Sequence, residues 1–109
     1  MTTKPQHMQA LDRANDVRLA RAALKRKVAA GRVAAAEIVE QAPPETETMT
    51  IAELLTSQRR WGSIRARKFL APLALSETKR LGTLTPRQRS MLADELRDVT
   101  GHGEEQIAA

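Results

Sequence analysis

Arg59-Arg60-Trp61-Gly62-Ser63-Ile64-Arg65-Ala66-Arg67-Lys68 joins a bend to the start of a helix inside a cluster of fixed positive charge. Gly62 has no Cβ, so the backbone there can bend and approach a partner closely. Ser63 is a favoured N-cap residue, and the backbone N–H groups that follow it have no intrahelical partner. Such a helix start attracts anions, and Arg65, Arg67 and Lys68 add full charges to it. On a wheel of about 100° per residue, Ala66, Phe69 and Leu70 share one side and the three basic residues the other. Thr83-Leu84-Thr85-Pro86-Arg87-Gln88-Arg89 repeats the device. There Thr85 is the N-cap, Pro86 takes the first helical position and Gln88 completes a capping box. Two such starts close together in the chain suggest a clamp for a polyanion backbone.

Outward from this region the pattern is helical throughout. Residues 1–5 read as a disordered start. Gln6 to Ala30 is rich in Ala, Leu, Arg and Lys, contains no proline and stops at Gly31, which predicts one long helix. Ala10, Ala14, Val17, Leu24 and Val28 recur at helical spacing, with Arg21 interrupting them. Either this stripe packs on the domain and Arg21 snorkels out, or the helix projects as an arm whose Arg18, Arg21 and Lys25 reach phosphates. Arg32 to Gln41 gives a second helix, with Val33, Ile38 and Val39 as its apolar face. Pro43-Pro44-Glu45 breaks it, and the polar loop to Met49 is the expected hinge between an arm (residues 6–45) and a core (46–99). Thr50-Ile51-Ala52-Glu53 has the capping-box pattern before Leu54 and Leu55. Pro72 ends or kinks the helix after Gly62, and Ser76 caps a short turn with Leu81 and Leu84 turned inward. The last helix, from Pro86 to about Val99, is expected to bury Leu92, Leu96 and Val99, spaced four and three, with Met91 beside them. Residues 100–109 read as a flexible acidic tail. No segment alternates apolar and polar residues as a strand would. The class is all-α: a long N-terminal helix, then a compact bundle.

Composition bounds the partners. The chain has 109 residues, a formal net charge of +5 and a sequence pI near 10.4. A pI above 9 with clustered Lys and Arg is the electrostatic footprint of a nucleic-acid binder. Between Arg59 and Arg89 the basic residues are Arg59, Arg60, Arg65, Arg67, Lys68, Lys79, Arg80, Arg87 and Arg89, against the single acid Glu77. This segregation favours a dedicated face over a uniformly solvated surface. Without cysteine there is neither a disulfide framework nor a thiolate metal site. No apolar run is long enough to span a bilayer, and no signal-peptide core opens the chain, so a cytoplasmic protein is expected. His7 and His102 lie toward the two ends of the chain, read as solvated, and form no metal pair. Asp94 and Glu95, neighbours on one helix, point about 100° apart and read as a solvated face.

Leu11 and Ala14, then Arg18, Ala20-Arg21-Ala22, Leu24-Lys25 and Gly31, are similar to the N-terminal helix of the actinobacterial integration host factor family. The likeness continues through Ile51 with Leu54-Leu55, Gly62-Ser63-Ile64-Arg65-Ala66, Arg80-Leu81, Leu84 and Arg87-Gln88-Arg89 to Leu92. It implies a helix–two-turns–helix core, related in architecture to a small-subunit ribosomal protein, with a long helix in front. It also implies nucleoid-associated, largely sequence-tolerant binding and bending of double-stranded DNA, in support of compaction and site-specific recombination. A phage integrase complex on the same DNA is a further implied partner. The chain departs from the family at Arg59-Arg60-Trp61, at Gly82 and at Thr83, Thr85 and Pro86, which suggests a divergent, phage- or plasmid-borne member.

On these expectations the Gly62–Ile64 and Thr83–Thr85 turns grip phosphates through backbone N–H groups. Arg59, Arg60, Arg65, Arg67, Lys68, Arg80, Arg87 and Arg89 supply charge, and Gln88 reaches the minor groove. Such contacts position a protein on a duplex without reading its sequence. Trp61 belongs either to the core or to a bent base step as a wedge. The alternative partner is structured RNA, as for the ribosomal relative. An enzyme is not expected, because the chain has neither the exposed N-terminal proline nor the separate catalytic domain of a base-excision glycosylase. No cofactor, metal, membrane or small-molecule substrate is expected.

Overall fold

The computed structural model describes residues 6–108, with side chains from 10 to 99. The expected disordered start, residues 1–5, lies outside the described residues, as do the side chains of His7 and His102. Five α-helices follow one another: α1 (Gln6–Ala29), α2 (Ala35–Gln41), α3 (Ile51–Ser57), α4 (Ser63–Leu70) and α5 (Pro86–Ala108). Single 3-10 turns at Pro44–Thr46, Ala71–Leu73 and Leu81–Thr83 link them. Among the described residues the nearest approach to a sheet is one antiparallel bridge between Thr50 and Arg80. The chain is all-α, as its pattern required.

Helix α1 stops where Gly31 adopts a left-handed φ of +77°. The Gly31 N–H donates to the Val28 carbonyl (3.0 Å) and the Arg32 N–H to that of Lys27 (2.9 Å). This pair is the Schellman arrangement, which satisfies carbonyls a helix end leaves bare. The two readings of α1 divide along its length. Residues 10–19 are exposed, whereas residues 20–25 are half-buried and Val28 is buried. The first half therefore projects and the second half packs. Its anchor is polar: Glu53 of α3 accepts from both Arg21 and Lys25 (3.0 Å for Lys25), and Arg21 also reaches the Thr48 hydroxyl.

The core runs from Val28 through Ile38, Val39, Met49, Ile51, Leu54 and Leu55 to Ala66, Leu70, Leu81, Leu92 and Leu96. Helix α2 is inside it, packed on α5, with Ala35, Ala36, Ile38 and Val39 all buried. Within the arm expected at residues 6–45, the exposed stretch 10–19 of α1 stands apart from the core, whereas α2 packs inside it. The loop expected to act as a hinge is itself packed: Thr46 is buried, its hydroxyl donating to the Pro43 carbonyl at 2.6 Å, and so is Met49. Helix α5 passes the expected stop near Val99 and continues to Ala108. No proline follows Pro86, and Glu104, Glu105 and Gln106 favour helix, so the two glycines at 101 and 103 do not break it.

Candidate nucleic-acid interface

The start of α4 differs in detail from its sequence reading. Gly62, not Ser63, is the N-cap residue (φ −94°, ψ 178°), and Ser63 is the first helical residue. Its φ lies in ordinary extended space, and a Cβ built at Gly62 meets nothing within 4 Å. Neither strain nor packing inside the chain therefore requires glycine there; the space opens outward. No side chain caps α4, and the first intrahelical bond runs from the Ala66 N–H to the Gly62 carbonyl at 3.1 Å. The amides of Ser63, Ile64 and Arg65 precede that bond, at the positive end of the helix.

The other helix starts in this region are closed. At α3, the Ile51 N–H donates to the Lys79 carbonyl (2.9 Å), the Ala52 N–H to that of Glu77 (3.0 Å), and the Glu53 N–H to the Thr50 hydroxyl (3.1 Å). At α5 the capping box forms in full, with the Gln88 N–H donating to the Thr85 hydroxyl (3.1 Å) and the Thr85 N–H to Gln88 Oε1 (3.0 Å). The second turn therefore does not repeat the first. Its polar groups are spent locally: the Thr83 hydroxyl donates to the Arg80 carbonyl at 2.7 Å. Gln88 retains only its amide NH2 for a groove.

The basic residues separate into free and committed groups. Arg59, Arg60, Lys68, Arg80 and Arg87 are exposed, and no described ion pair includes them. Arg60 holds a left-handed φ of 70°, a strained conformation for a side chain with a Cβ. Arg67 is exposed but lies 3.6 Å from Glu77, the lone acid of the region. The Arg65 guanidinium covers the Trp61 ring at 4.3 Å, a cation–π contact. Trp61 in turn meets Phe69 edge-on, with centroids 5.4 Å apart and planes at 78°. The indole is half-buried against the core, which favours the first of its two sequence readings. Ile64, expected to offer its amide at the open turn, also holds its side chain 68% exposed there.

Three residues expected at the interface serve the fold. Arg89 donates to the Val39 carbonyl (2.6 Å) and the Leu81 carbonyl (2.8 Å), joining α5, α2 and the second turn. Arg21 and Lys25 meet Glu53, while Arg18 stays exposed on the projecting half of α1. The Glu53 carboxyl is pushed up by burial, but the Lys25 hydrogen bond and the Arg21 and Lys25 charges outweigh this and leave it below its ordinary value. The structural part played by Gly82 escaped the sequence reading. It donates its N–H to the Glu47 carbonyl at 3.0 Å, and a Cβ there would lie 2.5 Å from the Glu47 Cγ. Its place among the departures from the family pattern was the available signal.

Among the described residues no group of three or more His, Asp or Glu side chains could hold a metal, and no helix is long and apolar enough to cross a membrane. No family profile and no curated protein matches the chain. Among solved structures, it resembles that of sIHF bound to an 8bp palindromic DNA, with a TM-score of 0.69 and 25% sequence identity. The similarity covers 78% of this chain and 98% of that one. The fold is thus integration host factor-like, as the resemblance implied.

Proposed function

We propose that this chain is a nucleoid-associated protein that binds and bends double-stranded DNA with little sequence preference. The observation that carries the proposal is the uncapped start of α4, set among the free cations Arg59, Arg60 and Lys68 and beside Arg65 and Arg67. A phosphate seated there accepts hydrogen bonds from helix amides and faces full positive charges on each side. The likeness to a DNA-bound sIHF supports a duplex as the source of that phosphate. Arg80 and Arg87 extend the basic surface along the chain, and each Lys or Arg that neutralises a phosphate releases condensed counterions. The role extends to DNA compaction and to recombination beside a phage integrase complex, following the family resemblance.

Titration of a random-sequence duplex at several salt concentrations tests this. Binding weakens steeply with salt, and changing Arg59, Arg60 and Lys68 together to Ala lowers the log–log salt slope by about one for each phosphate left without its cation. If that variant binds with wild-type affinity and slope, the proposed face is wrong. Structured RNA that displaces the duplex at equal mass would favour the ribosomal-protein-like alternative. Abasic duplex incubated with the protein stays intact, since no nucleophile is assigned.

A further inference from the structure

The geometry points to Ile64 as an apolar wedge that enters a base step of bound duplex and produces the bend. This deepens the proposed function and rests on it. Exposed large apolar side chains are few among the described residues: Leu11, Val17 and Leu19 on α1, and Ile64. Ile64 alone of them occupies the basic region between Arg59 and Arg89, where nine cations face one acid. It is 68% exposed on the first turn of α4, directly after Gly62 and Ser63. A single exposed aliphatic needs no partner in general; what marks Ile64 is its place at the open start of α4, among cations that draw a polyanion onto it. That charge identifies the partner as a polyanion, and the largest apolar surface a duplex can offer lies between its stacked bases. Aliphatic wedges inserted from the minor groove unstack one step and kink the helix toward the major groove.

The neighbouring aromatic cannot take this part without giving up its own packing. Trp61 sits edge-on against Phe69 and lies beneath the Arg65 guanidinium, so inserting it would break both interactions. Ile64 has no such commitment. A phosphate held at the α4 amides that follow Gly62 would bring the duplex onto the first turn of the helix, and the open space at Gly62 admits the sugar–phosphate backbone. Pyrimidine–purine steps, the least costly to unstack, are the preferred insertion points.

The test uses the full chain and a duplex carrying 2-aminopurine at a central TA step, with a donor and an acceptor dye at its ends. Wild-type protein raises 2-aminopurine fluorescence, by unstacking the probe, and raises energy transfer, by bending the duplex. Read at protein concentrations that saturate the duplex for each variant, Ile64→Ala loses most of both signals. Ile64→Leu restores them, and Trp61→Phe leaves them in place. Unchanged signals in Ile64→Ala, or a wild-type complex that neither bends nor unstacks the duplex, would overturn the wedge while leaving DNA binding intact. Absence of any duplex binding by the wild type would instead overturn the proposed function itself.

Discussion

Arg87 and Arg89 stand two places apart in sequence and do opposite things. Arg87 reaches solvent from the first turn of α5, whereas Arg89 turns inward and donates to two main-chain carbonyls, one of them 50 residues away. Removing Arg89 leaves both carbonyls short of a charged donor, and such bonds contribute about 1.5–3 kcal/mol each. Arg89→Ala therefore lowers the denaturation midpoint by several degrees in a thermal melt, and Arg89→Lys does not restore it, since one ammonium cannot reproduce the planar fork. Arg87→Ala leaves the melt unchanged and weakens duplex binding. Arg60 presents the reverse balance. Its left-handed backbone costs about 1–2 kcal/mol for a residue with a Cβ, so Arg60→Gly raises unfolding stability while duplex affinity falls. On the proposed function, the strained backbone is retained because the charge it carries meets a phosphate. Calorimetry and binding on the same preparation check both halves of that expectation.

Among the elements, α1 depends on the rest of the fold most narrowly. Its second half is tied to α3 by the Glu53 carboxylate, which accepts from Arg21 and Lys25 together. Because the folded-state pKa of Glu53 is depressed, the stability it confers is present above the unfolded value and is lost as pH falls through the folded one. Hydrogen exchange in α1 residues 20–29 accordingly rises, after correction for intrinsic rates, as pH drops below the normal glutamate range. Glu53→Gln shows that faster exchange at neutral pH and removes its pH dependence. Helix starts and stops were legible where they depend on neighbours in sequence. The Thr50 and Thr85 caps and the Gly31 stop all use bonds within five residues. What was not legible depends on distant groups. Nothing local shows that Arg21 meets Glu53, that Arg89 finds Val39, or that α2 lies against α5. The cap shift from Ser63 to Gly62 shows the converse: a good capping side chain goes unused when the residue before it already has extended backbone.

At the scale of the whole molecule, the protein is a small core with a helix projecting from it. Its principal extents are 62 × 28 × 23 Å and its Cα radius of gyration is 16.0 Å. A compact chain of this length has a radius of about 13 Å. The all-α class followed from periodicity alone, and the basic region was visible as a composition shift, but its division into free and committed cations required the three-dimensional arrangement. Within that region Glu77 has an importance beyond its single charge. Held 3.6 Å from Arg67, it offsets one cation of the basic region. On the proposed function, this carboxylate limits how long each encounter lasts. A background binder with no preferred sequence must let go often enough to slide, hop and yield its place to polymerases. Neutralising Glu77 would lengthen each stay and slow that traffic, trading mobility along the chromosome for grip.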